Sequence, residues 1–484
     1  MSEVHRWRAF AVLAVSFFMT IVDLTIVNVA LPTIGAKLHF SESNLQWVVT
    51  AYGVSFGGFL LLGGRAADLL GRRRVLMVGL SVFTAASLAC GLATSDGFLI
   101  AMRGIQGLGA AIVLPAALSI VMNMFEEGAE RNKALGIWGG IGAAGATFGL
   151  IAGGLLTRYV GWEYIFFLNV PIGAAALVLA PRLVPESKLE AVRRRYDPFG
   201  ALTVTGGLLL LVYSISRAPQ VGWSSASTVL LLASSALLLV AFLVIETRVE
   251  QPLMPLGIFR RRTLAGANAV GLLLGGSFFA FIFIGTLYMQ QVLGYSALKT
   301  GIAWLAASLT SVALAGVSQL LVTRGSAKLV MALGMALIGG GVLWASQAPV
   351  HGHFWPDLAG PFFVTGAGTA FAFIPVSIAA LAGIKEHEAG LAAGLLNTAQ
   401  QLGGAIGVAV ASTIIATQVK SLQSTGHDPA AALNGGLGWG MAVCAAIGLS
   451  GVLVTFGLVR KREIADAVAL AGLAKPEPVL VAAD

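Results

Sequence analysis

Residues 9–31 read AFAVLAVSFFMTIVDLTIVNVAL, an apolar run with one charged side chain, Asp23. A helix rises 1.5 Å per residue, so a run of this length crosses the ~30 Å hydrocarbon layer of a bilayer. The run is too long for the apolar core of a signal peptide and carries Asp23, so it reads as a retained first span. Working outward, comparable runs recur near 45–63, 75–94, 98–123, 134–157, 164–180, 199–216, 227–245, 264–289, 299–322, 329–347, 358–382, 389–417 and 437–459. They are long and continuous, whereas the strands of a membrane barrel alternate in polarity. The expected fold class is therefore an all-α integral membrane protein with fourteen transmembrane helices.

Composition agrees. Of 484 residues 57% are hydrophobic and 11% charged, with a mean hydropathy of +0.87. A soluble domain carries about 25% charged residues, so this surface must face lipid. Trp7, Trp47, Trp162, Trp223 and Trp355 fall at span ends, as an interfacial aromatic belt requires. The net charge of +8 sits in short loops, which points to membrane orientation and not to nucleic acid. With the N-terminus inside, 24 Lys and Arg fall in inner loops and tails and 5 in outer loops (Lys37, Arg158, Arg217, Lys299 and Lys420). Both termini are then cytoplasmic.

Several chemistries are excluded. There is no phosphate-binding G-x4-G-K-[ST] loop, no H-E-x-x-H, and all six histidines lie in loops or termini. Cys90 and Cys444 lie in apolar runs and form no metal or disulfide pattern. The run at 107–112, GLGAAI, lacks the third glycine and the strand of a dinucleotide loop. No cofactor, metal or catalytic residue is expected, no connection is long enough to form a soluble domain, and the chain does not read as an enzyme.

The chain repeats itself. Residues 71–77, GRRRVLM, match 325–331, GSAKLVM, at an offset of 254; Gly136, Gly145 and Gly149 recur as Gly394, Gly403 and Gly407 at 258. Repeats are common in transporters and place the substrate between related halves. The expected divisions are a six-helix half at 1–198, an inserted helix pair with its linker at 199–263, a second six-helix half at 264–459 and a cytoplasmic tail at 460–484.

Charges within a span cost at least about 2.5–3.5 kcal/mol at its centre, so they mark function. Two stand clearly inside spans: Asp23 in the first and Arg103 in the fourth. Asp23 can bind and release a proton, or act as a structural carboxylate held by Ser or Asn neighbours. Arg103 shares a face with Gln106 and Gly107. It can pair with Asp23, hold an anionic substrate group, modulate the proton site, or snorkel outward. Asn28 lies about 140° round the helix from Asp23 and is expected to bond a neighbouring helix. Asn397, Gln400 and Gln401 share a face and line a cavity or bond between helices. Gly145, Gly149 and Gly153 lie along one side of the fifth helix and allow close packing.

These stretches resemble the major facilitator superfamily, specifically its fourteen-helix drug:proton antiporter branch, from about residue 20 to 410. The similarity is carried by DLTIVNVALP at 23–32, GRAADLLGRRR at 64–74, RGIQGLG at 103–109, the glycines at 136, 145, 149 and 153, GWEYIFFLNVP at 161–171 and GLLNTAQQLGG at 394–404. It implies proton coupling at Asp23 and Arg103, a cavity bordered by Asn28, Gln106, Asn397, Gln400 and Gln401, and gating through Asp68, Gly71, Arg72, Gly145 and Gly149. The positive start of helix 13 suits a carboxylate such as Asp68. Leu150 stands where the antiporter motif has proline, and Glu163 where a basic residue is usual. Helices 10 and 13 lack the extra acids of dication exporters. The expected function is proton-coupled efflux of lipophilic small molecules by alternating access, in a monomer in a bacterial cytoplasmic (inner) membrane, its partners being lipid, substrate and protons. The alternatives are a dedicated exporter of one metabolite or antibiotic and, in another class, a non-transporting sensor or multipass enzyme.

Overall fold

The computed structural model describes residues 3–125, 129–186, 197–249, 252, 257, 261–324, 326–382 and 389–460. Among these the regular structure is helical and no strand occurs. The longer helices are α1 (Glu3–Lys37), α2 (Trp47–Leu70), α3 (Arg72–Gly91), α4 (Asp96–Met124), α5 (Ala129–Tyr159), α6 (Asn169–Leu183), α7 (Pro198–Val221), α8 (Ala226–Arg248), α9 (Arg262–Leu287), α10 (Ala297–Arg324), α11 (Ala327–Ala345), α12 (Ala359–Leu381), α13 (Ala389–Ser424) and α14 (Pro429–Leu458). Four-residue helices, Glu42–Leu45 and Tyr164–Phe167, precede α2 and α6. Wide π turns follow α9 (Tyr288–Val292) and precede α12 (Phe354–Leu358).

Local sequence explains the helix starts. Ser95 accepts a hydrogen bond from Phe98 N–H, Ser225 from Thr228 N–H, and Asp197 from Gly200 N–H with Pro198 in the first turn. Between α2 and α3 the chain turns at Gly71, where φ is +106°, a conformation that glycine adopts without strain. Eleven helices among the described residues are long and apolar enough to cross a membrane, namely all of α1–α14 except α2, α5 and α7. Shorter apolar stretches, Trp47–Leu60 and Phe199–Ile215, lie in α2 and α7. Large apolar side chains point outward on α8 (Leu230, Leu237, Val240) and α10 (Ile302, Leu309), as lipid contact demands.

Helices α1–α6 pack mainly on one another, through α2 on α4, α3 on α4 and α1 on α5. Helices α9–α14 do the same through α10 on α12, α11 on α12 and α9 on α13. The two groups meet where α5 crosses α10 and α2 crosses α13, and α7 packs on α2 and α13. Close backbone approaches recur in both groups. A Cβ on Gly107 would overlap Tyr52 O, and one on Gly366 would overlap Ala307 O, at offsets of 259 and 255. Likewise a Cβ on Gly109 would lie 2.6 Å from Phe83 N, and one on Gly368 2.6 Å from Ile338 N. Small residues at these crossings bring helix backbones together, which is the main source of helix association in lipid.

The glycine ladder of α5 lies against α1. A Cβ on Gly145 would meet Ile21 Cγ2 at 3.2 Å, and one on Gly149 would meet Val22 O at 2.8 Å and overlap Thr25 Oγ1. Gly403 and Gly407 press in the same way on Leu272 and Gly276 of α9. Gly149→Ala is therefore expected to destabilise the fold by about 1–3 kcal/mol, read as a lower thermal unfolding midpoint in detergent. Gly53→Ala, with open space at its Cβ, is expected to leave the midpoint within error.

Candidate functional site: an ion pair buried among five helices

Asp23 sits within α1 with no exposed surface, and Arg103 on α4 is 1% exposed. Arg103 Nη1 donates to Asp23 Oδ2 at 2.6 Å. The other carboxylate oxygen, Oδ1, accepts from Gln106 Nε2 at 2.7 Å and from Asn169 Nδ2 at 2.8 Å. Three donors from α4 and the first residue of α6 thus converge on one carboxylate. The guanidinium is fixed in turn: its Nη1 also donates to Gln106 Oε1 at 2.7 Å, and its Nε donates to Val48 O of α2 at 2.9 Å. The Tyr52 ring lies 4.3 Å from Arg103 Cζ, and the Phe166 ring 5.7 Å away, giving the cation two aromatic faces. Helix α3 completes the shell, with Ser87 Oγ accepting from Gln106 Nε2 at 2.7 Å and Cys90 Sγ 3.7 Å from Gln106 Oε1.

The convergence has a local cause. Gln106 follows Arg103 by three residues, so one face of α4 presents both. Gly107, one residue on, has no side chain, and α2 closes in until the Gly107 Cα faces the Tyr52 carbonyl. That approach brings Val48 O and the Tyr52 ring to the guanidinium. Asn169 reaches Asp23 because the chain turns at Gly161, φ +139°, and the short helix Tyr164–Phe167 delivers it at the start of α6.

Full burial of Arg103 excludes the snorkelling alternative, and of the pairings open to it the structure has the one with Asp23. Gln106 lies inside the ion-pair cluster. Asn28 is buried and donates to Leu24 O at 3.1 Å and Thr25 O at 3.4 Å, so among the described residues it bonds its own helix. On α13, Gln401 is buried against α2, with its Cβ 3.3 Å from a Cβ placed on Gly57, while the Gln400 carbonyl presses on Gly275 of α9. Asn397 is half-buried. Arg72 is buried at the start of α3. The side chain of Asp68 and the side of Gly136 lie outside the described residues.

Sequence reasoning assigned no role to Ser87, Asn169, Tyr52 or Phe166. Asn169 carried a signal, being a polar residue within the run at 161–171. Ser87 and Tyr52 carried none, since Ser and Tyr are ordinary in spans and their importance comes from what faces them.

Comparison with known proteins follows the same lines. The chain matches the Major Facilitator Superfamily over residues 13–408. The chain belongs to the major facilitator superfamily. It is 37% identical over 483 residues to a puromycin resistance protein of Streptomyces alboniger, covering 98% of this chain and 95% of that one. It is also 37% identical over 400 residues to a cephamycin export protein of Amycolatopsis lactamdurans, covering 82% of each. Among solved structures it resembles an auto-inhibited peptide transporter of the POT family at a TM-score of 0.69 and 16% identity, covering 93% of this chain and 96% of that one. At that identity the likeness speaks for the fold alone. Membership makes the protein a multi-pass membrane transporter and not an enzyme.

Within this major facilitator fold the ion pair is a packing constraint as well as a chemical group. Removing one partner of a buried pair leaves an uncompensated charge and costs about 3–5 kcal/mol. Arg103→Ala is therefore expected to lower the thermal midpoint and the folded yield strongly. The double variant Asp23→Asn/Arg103→Gln, which removes both charges and keeps polar groups for Gln106 and Asn169, is expected to recover much of the loss. Equal midpoints for the two variants would show that the charges are not coupled.

Proposed function

We propose that the protein is a proton-coupled exporter of lipophilic small molecules working by alternating access in a bacterial cytoplasmic membrane. In this reading all of α1–α14 cross the bilayer, α1–α6 and α9–α14 are the two halves, α7–α8 is an inserted pair, and both termini are cytoplasmic. The observation that carries it is the Asp23–Arg103 pair, an ionisable carboxyl and its cation held together at 2.6 Å among buried side chains. Such intramembrane carboxyls mark proton or ion paths. The resistance and export named for the two relatives support the efflux direction.

The arrangement of the halves suits the cycle. At the end away from the termini α5 crosses α10 so closely that Gly154 and Gly301 have no room for a side chain. There Gln290 Nε2 also donates to Val29 O at 2.8 Å. The α2–α13 contact, at Gly57 and Gln401, lies at mid-depth. A transporter closed at its outer end offers its cavity to the cytoplasm, where a substrate for export is collected.

A proton arriving at Asp23 cancels the charge that pairs with Arg103. The guanidinium then keeps Val48 O, Gln106 Oε1 and the aromatic faces, but its strongest partner becomes a neutral acid. The hold of α1 on α4 weakens, while Gln106 and Asn169, which already share Oδ1, keep that oxygen when the proton sits on Oδ2. Loss of the proton restores the pair. Exchange of one proton against one substrate follows if substrate binding favours the ionised form.

A second reading, a dedicated exporter of a single compound, is favoured by the fact that both relatives are named for one antibiotic each. The two readings differ in breadth of substrate and share the coupling site. The test is proton release from purified protein in weakly buffered dye on addition of a panel of lipophilic cations and neutral drugs. Release is expected from the wild-type protein and none from Asp23→Asn, with many compounds active for a multidrug exporter and one or two for a dedicated one. Equal release from both proteins would remove Asp23 as the coupling site.

A further inference from the structure

The end away from the termini is poor in cations, yet Arg158 and Lys299 both contact Ser296 there, one through its guanidinium and the other through its backbone N–H. Arg158, in the last turn of α5, donates from Nη1 to Ser296 Oγ at 3.3 Å. The same oxygen accepts the backbone N–H of Lys299, in the first turn of α10, at 3.2 Å. Lys299 Nζ stands 3.6 Å from the centroid of the Tyr295 ring. From Lys299 a groove of about 420 Å³ runs between the start of α10 and the π turn before α12, past Ile302, His353 and Trp355. Ile302 is 53% exposed and Trp355 75% exposed, so the groove opens toward the lipid. The Asp357 carboxylate is engaged by the backbone of its own turn, accepting the His353 N–H at 2.7 Å.

We infer that this groove binds an anionic phospholipid of the outer leaflet, its phosphodiester held by Arg158 and Lys299 and one acyl chain laid along Ile302 and Trp355. Exposed cations bind a free anion weakly, because water and salt screen them. A lipid adds the burial of its chain in an apolar groove to the attraction of its charge, and basic residues at the membrane surface act in that way. Tyr295 and Trp355 supply amphipathic rings at headgroup depth. Arg158 belongs to α5 and Lys299 to α10, the two helices that cross here backbone to backbone, where a Cβ on Gly154 would lie only 2.8 Å from Ala297 O. One headgroup bound to both ties the two helix groups together at this end. Outer-leaflet anionic lipid therefore favours the closed outer end and biases the transport cycle. The orientation and cycle rest on the proposed function; lipid retention itself is measured without transport, and loss of coupling at Asp23 leaves it untouched.

The test is native mass spectrometry of the full-length protein titrated with phosphatidylglycerol or phosphatidylcholine. The wild type is expected to retain phosphatidylglycerol in roughly tenfold preference. Arg158→Gln/Lys299→Gln is expected to lose that preference, while Arg217→Gln/Lys420→Gln, which removes the same charge elsewhere at that end, keeps it. Trp355→Ala, at an exposed position, is expected to weaken retention of both lipids and provides a readout if the double variant fails to fold. Equal retention of the two lipids by the wild type, or an unchanged preference in the double variant, overturns the inference. Displacement of the lipid by equimolar inorganic phosphate overturns it in favour of a free-anion site.

Discussion

A carboxylate and a guanidinium have been taken out of water and placed among buried helices, and much of the first six-helix group is arranged to make that tolerable. The desolvation of two such ions exceeds what their attraction returns unless the remaining lone pairs and donors are satisfied. Here Gln106 and Asn169 complete the carboxylate, Val48 O takes the guanidinium Nε, and Tyr52 and Phe166 cover its faces. Four helices and a short turn must hold their places for this to work. The glycines at 107 and 149 permit it by letting α2 reach α4 and α5 reach α1. A group so fully held is sensitive to one proton, which is the property a coupling site needs.

The charge is placed on one side of the molecule. The crossings of α10, α11 and α12 repeat those of α2, α3 and α4, down to the glycines that abut a backbone. Yet α12, which corresponds to α4, carries no charged residue, and α9, which corresponds to α1, carries only Arg262 at its start. Aromatic side chains fill the second group: Phe281, Trp304 and Phe362 pack with centroids 4.5–5.7 Å apart. In the proposed cycle the first half senses the proton, and this buried aromatic cluster braces α9, α10 and α12 of the second half. The pair α7–α8 adds a further asymmetry. Helix α7 lies over the α2–α13 crossing, with Val212 beside Val54 and Ala405.

Much of the fold was legible because lipid imposes a simple rule: backbone groups must bond within a helix, and side chains facing outward must be apolar. Run length, loop charge and glycine spacing follow directly. Helices α2, α5 and α7 were legible on the same footing, because their runs at 45–63, 134–157 and 199–216 are apolar in sequence despite the glycines of α5. Asp23 and Arg103 stood out because a charge in a span is rare. Their pairing was one option among several, because residues 80 apart in sequence meet only through the packing of α1 on α4. Asn28 was expected to bond across helices and instead satisfies itself on Leu24 O and Thr25 O, a local contact that competes with any partner. Gln106 shared a face with Arg103 as the spacing required, but which helix that face met could not be read from α4 alone.

The most direct test separates transport from coupling. Proteoliposomes loaded with a labelled substrate would be assayed twice, for flux driven by an imposed pH gradient and for one-to-one substrate exchange with no gradient. If the Asp23–Arg103 pair couples the proton, Asp23→Asn abolishes the gradient-driven flux and retains exchange. Gradient-driven flux that persists in Asp23→Asn would contradict the account and move the proton to another group.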